Sequence, residues 1–267
     1  MELYTRNFLD GLTADEEKEY ERILSEETKG AGGFGRKNLY HLYPEAARHF
    51  RTLFPNHHLD IVDVKANPNF ETINEDFKNL ILRNITERSI LNYINQNHAF
   101  HIIAAILQGA NFSFGHHCTY LFPEFQLGTS YKADYLLIGR SSGGHEFVFV
   151  ELENPYEQIT IQNGELGTTF RKGISQVNDW RRWLEENYSS LSEYFEKHSK
   201  RGEPLPREFH KYDATRIHYV VVAGMRKDFR DKTYRIAREY RDREKIQLLH
   251  YENLYDYACK IPSLSTF

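Results

Sequence analysis

The sequence predicts a mixed α/β fold: one central sheet flanked by helices, with a mainly helical N-terminal extension. Three observations carry that expectation. "YKADYLLIG" (131–139) and "EFVFVELE" (146–153) are strongly apolar strands separated by a Ser-Ser-Gly-Gly turn signal. Ile174, Val177, Leu184, Tyr188 and Leu191 then recur at spacings of three, four and seven, one face of a helix. After it, "IHYVVVAG", a Lys/Arg-rich stretch and "KIQLLHYENLYDYA" read as strand, helix, strand and short helix, an alternation that wraps helices around a sheet. A chain of 267 residues, 40% hydrophobic and 14% aromatic, has the material for that core.

The elements follow in order. Thr13-Ala-Asp-Glu16 is a capping box opening a helix with Tyr20, Ile23 and Leu24 as its apolar contacts, and Gly30 stands where it should stop. "GAGGFGRKN" (30–38) reads as a joint; its glycines could expose amides to phosphate, but it lacks the Gly-Lys-Ser/Thr ending of a phosphate-binding loop. A short helix over about 44–54 leads to an expected strand, "HHLDIVDVK". Residues 71–108 are mostly helical: one piece carries Phe77, Leu80 and Ile81, and another, capped by Thr86, carries Glu87, Ile90, Leu91 and Ile94. "AFHIIAAILQG" suits helix and strand alike. "CTYLFPEFQLG" is the first of three consecutive strands, and a helix is expected over about 170–195. The expected division is an accessory region, 1–70, and a main domain, 71–267.

Composition excludes several classes. No apolar run approaches the roughly 20 residues of a membrane-spanning helix. "MELYTRNFLDG" has no secretory signature and two cysteines make no disulfide framework, so the expected location is the cytoplasm. The net charge of -4 hides an uneven distribution: acids dominate residues 10–27, whereas residues 201–245 hold thirteen Lys or Arg against eight acids. Arg226, Lys227, Arg230 and Arg235 in that basic stretch suit phosphate contacts, although the interleaved acids could equally pair with them. His116-His117-Cys118 lacks a second ligand pair at zinc spacing, and Cys259 has no paired histidine.

The hairpin concentrates the chemistry. With Ser142 and Gly143 as its turn, Asp134 comes opposite Glu151 and Lys132 opposite Glu153, all four on one face. Three close carboxylates repel and cost desolvation, so a fold rarely keeps them together without a cation. Hard oxygen ligands suit Mg²⁺, with Mn²⁺ as the alternative, ions that polarise phosphate and activate water. The competing reading is two solvated glutamates where a strand leaves its sheet. Lys172 and Gln176, four apart on the next helix, face the same way. Trp180 and Trp183 read as core aromatics rather than base-stacking platforms.

Taken together, "YKADYLLIG", "EFVFVELENP" and "FRKGISQVNDWRRWLEEN" resemble the nuclease core of the Shedu family of anti-phage defence proteins, within the restriction-endonuclease-like, PD-(D/E)XK superfamily. The resemblance spans about residues 85–258. Asp134 matches the strand aspartate, Glu151 the glutamate of a Glu-X-Lys motif, Gln176 with Asp179 and Trp180 the following helix, and Glu87 a helix glutamate ahead of the sheet. Glu153 stands where that motif has lysine, and Lys132 or Lys172 could replace the missing ammonium. The resemblance implies a Mg²⁺-dependent DNA endonuclease with Asp134, Glu151 and Glu153 on the metal, and a homo-oligomer. The alternative is a catalytically degenerate nucleic-acid-binding or regulatory module of the same fold.

Overall fold

Strand pairing organises the molecule around the predicted hairpin. The computed structural model describes residues 3–28, 39–200 and 202–267. Helices α1 (Ala14–Thr28) and α2 (Pro44–Arg51) precede a two-residue strand, β1 (His58–Leu59). Helices α3 (Ile61–Ala66), α4 (Phe70–Ile81), α5 (Glu87–Gln96), α6 (His101–Ala104) and α7 (Ile106–Gly109) follow. Next come β2 (Cys118–Leu127), β3 (Tyr131–Ser141), β4 (Gly144–Leu152), α8 (Thr168–Asn187) and α9 (Leu191–His198). The chain closes with β5 (Ile217–Val222), α10 (Asp231–Glu244), β6 (Ile246–Leu249) and α11 (Tyr251–Ala258).

The six strands form one mixed sheet in chain order, β1 to β6. β1 to β4 run antiparallel to their neighbours, whereas β4, β5 and β6 are parallel. The hairpin register is the one expected: Leu136 pairs with Phe149, Ile138 with Phe147 and Ser141 with Gly144, leaving Ser142-Gly143 as the loop. Gly144 has φ +104°, which a side chain would strain. Val148, Val150 and Leu152 face a core built with α4 to α7 and α11. Phe147 and Phe149 face a second core of α8, α9 and Phe54. Both faces are covered, which is why β4 reads as a continuous apolar run.

The expected capping box forms: the Thr13 amide donates to Glu16 at 2.7 Å and the Glu16 amide to the Thr13 hydroxyl at 3.3 Å. The stretch "GAGGFGRKN", with Gly30, lies outside the described residues. "HHLDIVDVK" is not one strand. It pairs only through His58 and Leu59, after which the Asp60 side chain accepts from the Val62 amide at 2.8 Å and starts α3. A local cap overrides the β-preference of Ile61, Val62 and Val64. The ambiguous 99–109 run becomes α6, buried throughout, and α7, buried through Ile106 and Leu107. The helix expected over 170–195 is broken by a 3-10 turn at Tyr188–Ser190 into α8 and α9. The described part of residues 1–70 is built into the main body: β1 pairs with β2, Phe54 is fully buried in the α8-side core, and Leu3, Ile61 and Phe70 are buried in the core on the other face. Among the described residues, no helix is long and apolar enough to cross a membrane.

Candidate active site

At the end of the hairpin the ladder stops one rung early. Tyr135 pairs with Val150, but beyond it the Asp134 carboxylate, rather than a backbone carbonyl, accepts the Leu152 amide at 2.7 Å. That bond pins Asp134 beside Glu151. β4 ends at Leu152, and the Glu153 amide donates to the Val222 carbonyl of β5 at 2.8 Å. Asp134, Glu151 and Glu153 are therefore fixed through backbone contacts, and all three are buried, Glu153 to 1% exposure.

Helix α8 closes over this end of the sheet through Gly173. A Cβ there would lie 2.5 Å from Val221 Cγ1 and 3.2 Å from Glu153 Cγ, so only glycine permits the approach. One residue earlier, the Lys172 ammonium donates to Glu153 Oε2 at 2.7 Å. Gln176 is half-buried one turn further along α8. Glu87 opens α5 on the far side of the cluster. Tyr251, the first residue of α11, donates its hydroxyl to the Glu153 carbonyl at 2.7 Å from a fully buried position.

The electrostatics follow from burial. Desolvation pushes Asp134 up to about 7, with the Glu87 and Glu153 charges adding to it against the Leu152 amide. Desolvation, then the charges of Asp134, Glu153 and Glu87, push Glu151 up to about 10. Glu153 is raised by burial although Lys172 opposes the shift, and Glu87 is raised by burial and then by Glu153. Four carboxyl groups thus share one contacting ammonium. Glu151 Oε2 and Glu153 Oε1 are buried without a hydrogen-bond partner. Among the described residues no three His, Cys, Asp or Glu side chains converge as a ready-made metal cage. The donor set nonetheless fits a hard divalent ion. Mg²⁺ is commonly held by one or two carboxylates plus water and phosphate rather than by an all-protein cage, and two orphaned carboxylate oxygens supply that minimum.

The remaining expected site residues disperse. Lys132 pairs with Gln126 on β2 and its ammonium bonds Glu124 at 2.6 Å, so it does not meet Glu153 across the hairpin. The strands have already parted where that meeting was expected. Arg226 forms an ion pair with Asp256, Arg235 pairs with Glu239 at 3.2 Å, and Arg230 donates to the Gln162 carbonyl at 2.7 Å. Lys227 projects with Arg230 beside the 156–160 loop. Trp180 is fully buried near Phe149. Cys118 and Cys259 are free thiols.

Sequence reasoning missed Tyr251 and Gly173. Tyr251 followed a recognised strand, but nothing in "HYENLYDYA" says which way its hydroxyl turns. Gly173 carried a usable signal, a glycine on the sheet-facing side of a strong helix, which marks a close approach.

A family model described as Shedu protein SduA, C-terminal, matches residues 84–255, well over half of the chain. The chain belongs to the Shedu family. The matched span contains every element of the carboxylate cluster, from Glu87 on α5 to Tyr251 on α11. Shedu membership supports a role in antiviral defence and is compatible with nuclease activity. Comparison with curated proteins finds no match.

Proposed function

We propose that this Shedu protein is a metal-dependent endonuclease that hydrolyses phosphodiester bonds of DNA in defence against phage, with a site of the PD-(D/E)XK kind. The observation that carries the reading is the pair of buried, partnerless oxygens on Glu151 and Glu153, beside Asp134 and under the Lys172 ammonium. Asp134, Glu151 and Glu153 would hold Mg²⁺ or Mn²⁺, which when bound supplies positive charge to phosphate oxygens and acidifies water.

The chain's own groups divide the remaining work. As a base in place of a ligand, Glu153 would accept a proton from an attacking water on Oε1, because its other oxygen is already committed to Lys172. Lys172, mostly exposed beyond that contact, offers its remaining donors to a non-bridging phosphate oxygen and stands in for the lysine that Glu153 displaces from the motif. Asp134 keeps its hydrogen bond to Leu152 and so fixes the strand ends against each other. Gln176 would orient water or phosphate one turn along α8, and Glu87 would add negative charge from the opposite side. Lys227 and Arg230 are the contacts best placed to follow the DNA backbone, since Arg226 and Arg235 are engaged with acids.

Two further parts of the reading rest on the resemblance: the protein assembles with copies of itself, and residues 1–70 form an accessory region. Mass in solution tests the first. Because Leu3, Phe54 and β1 all lie in the main body, the second is tested by removing residues 1–43 and measuring cleavage, mass and urea stability together, so that lost folding is told apart from a lost accessory role.

The deciding experiment incubates purified protein with plasmid and with phage DNA in Mg²⁺, in Mn²⁺ and in EDTA. Nicking or linearisation with either ion and none in EDTA is expected. Binding without cleavage under every condition would replace the enzyme with a DNA-binding module.

A further inference from the structure

Far from the carboxylates, the same sheet face holds a built cavity. Cys118 pairs with Arg140, and Arg140 with His145, so the three form a row across β2, β3 and β4. Arg140 is six residues from Asp134 along β3, about 20 Å at roughly 3.3 Å per residue. The row, Tyr120, α2 and the 203–206 loop enclose a cavity of about 610 Å³, within the roughly 300–1,000 Å³ range of small-molecule sites.

Its walls are chemically divided. Among the described residues no carboxylate pairs with Arg140, whereas Arg51, across the cavity, is bound to Glu27 at 2.6 Å and to the Tyr20 hydroxyl at 2.6 Å. Burial keeps neighbouring groups neutral: the Cys118 thiol is pushed up to about 12 and the His58 imidazole down to about 3. The two carboxylates that line the cavity, Glu27 and Glu203, are paired with Arg51 and, at 2.9 Å, with Lys200, which leaves Arg140 without an acidic partner among the described residues, beside the rings of Tyr120 and His145. His145 is held in place by Glu208, with Nδ1 2.8 Å from its Oε1. A guanidinium fork matches phosphate oxygens, and aromatic and proline walls suit a planar ring.

We propose that this cavity binds a phosphate-bearing ligand of nucleoside-monophosphate size, with the phosphate on Arg140 and the base against Tyr120 and His145. This inference does not rest on the nuclease reading. The test is calorimetric titration of the full chain in EDTA with AMP, GMP, CMP and UMP, and with adenosine and inorganic phosphate as half-ligands. At least one monophosphate should bind, with adenosine and phosphate each weaker by about tenfold or more. Arg140→Ala should weaken binding by about tenfold, and Arg140→Lys should recover part of it, as expected for a charge-assisted contact. Glu151→Gln should bind as the parent does, separating this cavity from the carboxylate site. The proposal is overturned if no monophosphate binds at millimolar concentration, if phosphate alone binds as tightly, or if Arg140→Ala binds unchanged. Loss of binding in Glu151→Gln would overturn it too.

Discussion

Glu153 is held at four points: its amide by Val222, its carbonyl by Tyr251, one carboxylate oxygen by Lys172, and its Cγ against the Gly173 backbone of α8. A carboxylate so immobilised, with Oε1 left unpaired, is organised for a ligand or a proton. Glu153→Gln should therefore keep DNA affinity and folding while lowering the initial cleavage rate about 100-fold, the scale of a positioned acid or base; a rate within twofold of the parent in both Mg²⁺ and Mn²⁺ would remove Glu153 from the mechanism. Glu153→Lys should also be impaired, because it sets an ammonium against Lys172. The matched control is Glu153→Lys with Lys172→Glu, which swaps the pair and should recover activity relative to Glu153→Lys alone. Of these details, Asp134, Glu151 and Glu153 were legible as a cluster because strand side chains alternate. Which lysine answers Glu153 was not, since that depends on where the hairpin ladder ends and how closely α8 approaches.

At the scale of elements, the packing of α8 on β5 sets the site. Gly173→Ala would put a methyl group 2.5 Å from Val221 Cγ1, a core side chain with no room to retreat. The helix must shift, at an expected cost of about 1–3 kcal/mol for overpacking. Urea denaturation should show that loss, and cleavage should fall with it because Lys172 is the neighbouring residue; unchanged stability would mean that the helix does not sit this close. Strands and helices with long apolar patterns were legible: β2 to β6, α4, α5 and α8 lie where their periodicity puts them. The misreading of 57–65 came from a run too short for periodicity to decide, where a single Asp60 cap settles the outcome. The break at Tyr188–Ser190 was equally hidden, because the apolar stripe continues through the 3-10 turn and both halves bury the same face.

For the whole molecule, the buried carboxyl groups couple stability to pH and to cations. Asp134 and Glu151 have folded-state pKa values of about 7 and about 10, above the roughly 4 of an unfolded carboxyl. The folded state therefore binds their protons more tightly. The stabilisation is complete below about pH 4 and is lost as pH rises through 7 and on towards 10. In EDTA the melting temperature should accordingly fall between pH 5 and pH 8 more steeply for the parent than for Glu151→Gln, whose amide cannot ionise; parallel curves would show that Glu151 is not an uncompensated buried acid. The α/β class and the sheet flanked by helices were legible because both faces of the central strands are apolar. The place of β1 and Phe54 in that body was not, because contacts between residues more than 60 apart leave no periodic trace. The central claim, that these carboxylates hold a divalent cation, is tested most directly by titrating Mn²⁺ into metal-free protein near pH 7 in two buffers of different ionisation enthalpy, which reports metal bound and protons released together. The account predicts saturable binding with proton release from Asp134 and Glu151, and loss of both in Glu151→Gln. Absence of binding in the parent, or binding and proton release unchanged in Glu151→Gln, would contradict it.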